Sequence, residues 1–103
     1  MLRLDFITTG SHDAPLLRIS GIDPMAYKVL HDAVTQLAEK RSDRISIEQL
    51  PGVVAVDGCR LSACIGRWDR GVLRCDESQS FEWILTPETW DNVAGLLEPF
   101  LRG

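Results

Sequence analysis

All three cysteines of this chain, Cys59, Cys64 and Cys75, fall inside one stretch, CRLSACIGRWDRGVLRC, together with Arg60, Arg67, Trp68, Arg70 and Arg74. Thiolates ligate soft metals and attack electrophiles, so metal binding, disulfide formation and thiol chemistry are the first possibilities that spacing must test. A structural zinc site brings its ligands in short pairs, C-x2-4-C or H-x3-5-H. Here the three thiols are separated by four and by ten residues. Alternation along CRLSACIG puts Cys59, Leu61, Ala63 and Ile65 on one face of a strand and Arg60, Ser62 and Cys64 on the other. An odd-length turn at GRWDRG sets Leu73 across from Ile65 and Cys75 across from Ala63. Cys59 and Cys75 then share a face, about 13 Å apart at ~3.3 Å per residue. Neither a metal site nor a disulfide is expected, even if His12 or His31 is recruited, and no cofactor is implied.

The same register gives one sharper expectation. Cys64 lies across from Arg74, beside Ser62 and near Arg60, and a cationic neighbour lowers a thiol's pKa. Cys64 is therefore the candidate reactive thiol, and a small enzyme or thiol redox protein built on it is an alternative reading of the chain. The competing view makes Cys64 a small strand residue without a role. Other motifs carry less. Ser11-His12-Asp13 contains the residue types of a catalytic triad, but triad members converge from separate parts of a fold, whereas adjacent side chains point apart. TTGS precedes a strand, where an anion-binding loop needs a helix N-terminus. His31 sits between Lys28 and Asp32 on a polar helical face. Asp76 and Glu77, neighbours on a strand, face opposite ways and do not form an acid and base pair. No catalytic residue is assigned.

That leaves RWDR at the tip. Trp68 falls in the turn, outside the apolar rows that would bury it, between Arg67 and Arg70. Tryptophan and arginine dominate interface hot spots because each joins a large contact area to a directional polar group. Arg67, Trp68, Arg70 and Arg74 are the candidate binding residues, for a protein or, if the arginines act alone, for an anion or acidic ligand. The opposing reading folds Trp68 back over the sheet edge onto an arginine stem.

The elements that must position these residues follow from periodicity. LRLDFI and LLRISGI alternate as two strands of a hairpin. Asp23-Pro24 opens a helix running to about Arg41, with Tyr27, Leu30, Val34, Leu37 and Ala38 on its apolar side. RISIEQL resumes alternation through Ile45 and Ile47. VVAV and CRLSACIG flank Asp57-Gly58, a signal for a tight hairpin turn. GRWDRG closes a second hairpin into VLRCDE, and FEWILT follows. Thr86-Pro87-Glu88 starts a last helix, with Trp90, Val93, Ala94, Leu97 and Leu101 on one stripe and Pro99 fraying its end. The order ββαβββββα predicts an α+β fold: a mostly antiparallel sheet, partly a meander, with two helices packed on one face.

Bulk properties set the frame. At 103 residues, 45% hydrophobic and 25% charged, the chain is expected to be one globular domain, residues 1 to 103. A net charge of −4 argues against general nucleic-acid binding, which depends on neutralising phosphates. Nothing approaches the roughly 20 apolar residues of a membrane span. Arg3 and Asp5 interrupt what a signal peptide would keep apolar, so a reducing cytoplasm is expected. The leading functional reading is a small soluble cytoplasmic interaction module, non-catalytic, acting on a protein partner through the Trp68 tip or a sheet edge, the latter also a route to a homodimer.

Overall fold

The computed structural model describes residues 1–7, 16–75 and 80–102. The TTGS, Ser11-His12-Asp13 and Asp76-Glu77 motifs lie outside the described residues. Strands β1 (Leu2–Ile7) and β2 (Leu16–Ser20) form the expected antiparallel hairpin, with Leu4 opposite Ile19 and Asp5 opposite Arg18. Arg18 grips Asp5 with two bonds, Nε to Oδ1 at 3.2 Å and Nη2 to Oδ2 at 3.0 Å. Helix α1 (Pro24–Ala38) starts where Asp23 accepts the Ala26 N–H at 3.1 Å, and proline occupies a position that needs no donor. It stops short of Arg41. Lys40 turns into the left-handed region at φ 62°, and the Arg41 N–H reaches back to the Gln36 carbonyl at 2.8 Å, closing the helix end.

After α1 come β3 (Arg44–Ser46), β4 (Val53–Ala55), β5 (Arg60–Ile65), β6 (Gly71–Arg74) and β7 (Ser80–Leu85), then helix α2 (Pro87–Leu97). Ile47, expected to continue the β3 alternation, instead opens a 3₁₀ turn, Ile47–Gln49. A 3₁₀ turn over Glu98–Arg102 follows α2, consistent with Pro99 being unable to continue an α-helical hydrogen-bond ladder. The element order is ββαβββββα and the class is α+β, as expected.

The pairing is not the meander that the order suggests. One sheet runs β2-β1-β4, with β1 and β4 parallel; the other runs β3-β5-β7-β6, with β5 and β7 parallel and the outer pairs antiparallel. Two expected hairpins are therefore absent. Asp57-Gly58 makes the anticipated tight turn, with φ of 54° and 72°, but it passes the chain from β4 in one sheet to β5 in the other. GRWDRG does not pair β5 with β6, because β7 lies between them. The reason is apolar content: β7 sets Phe81, Trp83 and Leu85 on one face and belongs at the centre, whereas four-residue β6, ending in Arg74, has little to bury and is suited to an edge.

This pairing corrects the register read from sequence. Cys64 does not face Arg74; its neighbours are Arg44 on β3 and Ile84 on β7, while Arg74 is paired with Phe81. The buried row is Cys59, Leu61 and Ala63 with Phe81 and Leu85, and Leu73 is opposite Glu82. One core cluster joins these residues to Leu2 and Leu4 of β1, the Tyr27, Leu30, Val34 and Leu37 stripe of α1, and Trp90 and Ala94 of α2. Both helices contribute to it. Trp90 is fully buried, edge-on to Trp83 at 4.8 Å, and donates its indole N–H to the Cys64 carbonyl at 2.9 Å.

Candidate functional site

The segment between β5 and β6, residues 66–70, is an ordered loop rather than a two-strand turn. Its backbone is tied to β7 at both ends: the Gly66 N–H donates to the Leu85 carbonyl at 3.0 Å and the Arg70 N–H to the Ile84 carbonyl at 2.9 Å. Gly66 packs closely against β7: a Cβ there would stand 2.4 Å from the Ile84 Cγ2 and 3.3 Å from the Trp68 carbonyl oxygen, so a side chain would require its neighbours to shift. Asp69 supplies the third tie. Its Oδ1 accepts the Thr86 N–H at 2.8 Å and its Oδ2 accepts the Thr89 hydroxyl at 2.7 Å. Thr86 is the N-cap of α2, its own Oγ1 accepting the Thr89 N–H at 3.3 Å, so the loop and the helix start share one hydrogen-bonded knot. The Thr86 amide and then the Thr89 hydroxyl hold the Asp69 carboxyl below its ordinary pKa, because both bonds favour the ionised form.

Asp69 is itself exposed and makes these bonds along the surface, to the start of α2. Its neighbours are exposed as well: Trp68 is 69% exposed, and Arg67 and Arg70 are exposed on either side. No ion pair engages Arg67 or Arg70 among the described residues. The alternative in which Trp68 folds back over the sheet edge is not the conformation adopted. Arg74 does not join the group. It lies at the far end of β6, about 10 Å along the strand from Gly71, with its guanidinium 5.7 Å from the Phe81 ring centroid.

Cys64 occupies a different environment from the one expected. It is 9% exposed, and its thiol lies 3.8 Å from the Ser62 carbonyl as a donor. Burial pushes its pKa up; Arg44 pulls it down and Glu82 up again. The cation near the thiol is thus Arg44, already committed at 2.8 Å to Glu82 and at 3.2 Å to the Ser62 hydroxyl. Cys59, fully buried, is also raised, by burial first and then by Asp5 and Glu48. No disulfide joins the cysteines, and no three metal-ligating side chains cluster among the described residues. His31 lies beside Asp32, with Nδ1 to Oδ1 at 3.6 Å.

Sequence reasoning missed one constellation. Arg44, Ser46, Arg60, Ser62 and Ser80 line a polar groove of about 500 Å³ beside Glu48. The signal was present in two alternating strands, R-I-S and R-L-S, but only the β3–β5 pairing puts Ser46 opposite Ser62. Two of its charged groups have partners: Arg44 holds Glu82, and the Glu48 carboxylate accepts the Leu61 N–H at 2.8 Å. Among the described residues, no helix is long and apolar enough to cross a membrane. No protein-family model, curated protein or solved structure matches this chain, so the functional reading rests on the geometry alone.

Proposed function

We propose that this chain is a non-catalytic binding module of the cytoplasm that engages an acidic protein partner through the 66–70 loop, with Trp68 as anchor and Arg67 and Arg70 as its charged flanks. The observation that carries the reading is an exposed tryptophan on a loop held at three points. Exposing a large aromatic ring to water is unfavourable for the free chain, and holding it in place lowers the ordering entropy lost on binding. Among the described residues the adjacent β6 edge has a partner only on its β7 side, so a partner segment has backbone groups to pair with next to the anchor.

The test is co-purification from the source organism with wild-type chain and with Trp68→Ala, followed by affinity measurement with the purified partner at two salt concentrations. Truncating a hot-spot anchor should weaken binding roughly thirtyfold or more. Replacing Arg67 and Arg70 by glutamate should slow association and remove most of the salt dependence. A partner bound equally well by Trp68→Ala overturns the reading. Recovery of a second copy of the chain, measured by mass in solution, would replace the acidic partner with a homodimer.

A further inference from the structure

The core does not close completely between the two helices and the sheets. Tyr27 and Leu30 of α1, Val93 and Leu97 of α2 and Trp83 of β7 surround about 150 Å³ of free space. Phe100 marks the open side: it lines the cavity, stacks on Tyr27 at 5.0 Å between ring centroids, and is 52% exposed. The space is open to solvent past Phe100, so its apolar walls meet water unless something covers them, and covering them is favourable.

The chemistry of the walls narrows the choice. Water needs two to four polar partners. Here the lining side chains offer only the Tyr27 hydroxyl, already donated to the Gly21 carbonyl at 3.2 Å, and the indole N–H of Trp83. A charged molecule would lose its hydration with no counter-charge, since among the described residues no Asp, Glu, Lys, Arg or His lines the space. Apolar cavities on the order of 150 Å³ accommodate a molecule the size of one aromatic ring. We propose that this cavity is a binding site for one small, uncharged, apolar molecule of that size, entering past Phe100. The 66–70 loop contributes no residue to it, so this site and the Trp68 surface stand or fall separately.

Toluene is a suitable probe, with benzoate as the charged control of similar ring size, read by methyl NMR of the wild-type chain. Saturable shifts are expected for the methyls of Leu30, Val34, Val93 and Leu97 with toluene and none with benzoate. Val93→Phe, which adds a ring at a half-buried wall, should weaken toluene binding by roughly tenfold or more. Leu97→Phe serves the same purpose if Val93→Phe does not fold. Absence of saturable shifts up to the solubility limit of toluene overturns the proposal. So do equal shifts at exposed Ile22 and Met25, which would mean unspecific partitioning, or undiminished binding in a folded variant.

Discussion

Asp69 and Thr89 are joined at 2.7 Å, the carboxylate accepting the hydroxyl proton, and this bond fastens a surface loop to the first turn of α2. The second Asp69 oxygen holds the Thr86 amide, so one side chain ties the loop that carries Trp68 to the N-cap residue of α2. Removing it by Asp69→Ala should lower the melting temperature and speed hydrogen exchange at the Arg70 amide, with the β5 amides little affected. Unchanged exchange at Arg70 would show that the two backbone ties suffice. The pH dependence has a definite sign. Because the folded pKa lies below the ordinary carboxylate value, this stabilisation is complete above the unfolded pKa and is lost as pH falls through the folded one. Urea midpoints of the wild type should therefore fall more steeply below about pH 4 than those of Asp69→Asn.

Gly66→Ala tests the close approach of loop and sheet. The added methyl would stand 2.4 Å from the Ile84 Cγ2, and overpacking of this kind costs about 1–3 kcal/mol. In urea titrations the double variant with Ile84→Ala should lose less than the sum of the two single changes, because the side chain that clashes has been removed. Strict additivity would mean that Gly66 is required for some other reason.

Lys40 closes α1 in the left-handed region, where any side chain carries a steric penalty that glycine avoids. Lys40→Gly should raise stability by about 0.5–1 kcal/mol, and Lys40→Val should lower it. Chemical denaturation of the two variants checks the prediction. Equal stabilities would indicate that the helix end relaxes to a different cap.

Thiol labelling should follow burial rather than proximity to arginine. Cys59 and Cys64 are buried with raised pKa values, while Cys75 is only half-buried. In the native state an aromatic disulfide reagent should modify Cys75 first, with Cys59 and Cys64 reacting at rates that rise with urea. Preferential labelling of Cys64 would show a thiolate that the β3–β5–β7 packing does not suppress.

Local chemistry was legible in the residues themselves. Asp23-Pro24 and Thr86-Pro87 each start a helix, Asp57-Gly58 takes two positive φ values, and alternation along β5 buries Leu61 and Ala63 while leaving Arg60 exposed. Each depends on a few contiguous residues, where side-chain capping and steric limits on φ act without help from the rest of the chain.

Strand partners were not legible in this way. Adjacency in sequence favoured pairing β5 with β6 and so Cys64 with Arg74, yet β7 takes the central place because its three large apolar side chains bury more surface there than β6 can. That choice moved Arg74 away from both Cys64 and Trp68 and gave the thiol Arg44 as its neighbour. The sequence by itself determined the element order, the helix starts and the placing of Trp68 between two arginines. The pairing, the exposure of that tryptophan and the knot through Asp69 depend on residues far apart in the chain. Only burial summed over the whole tertiary structure could decide among them.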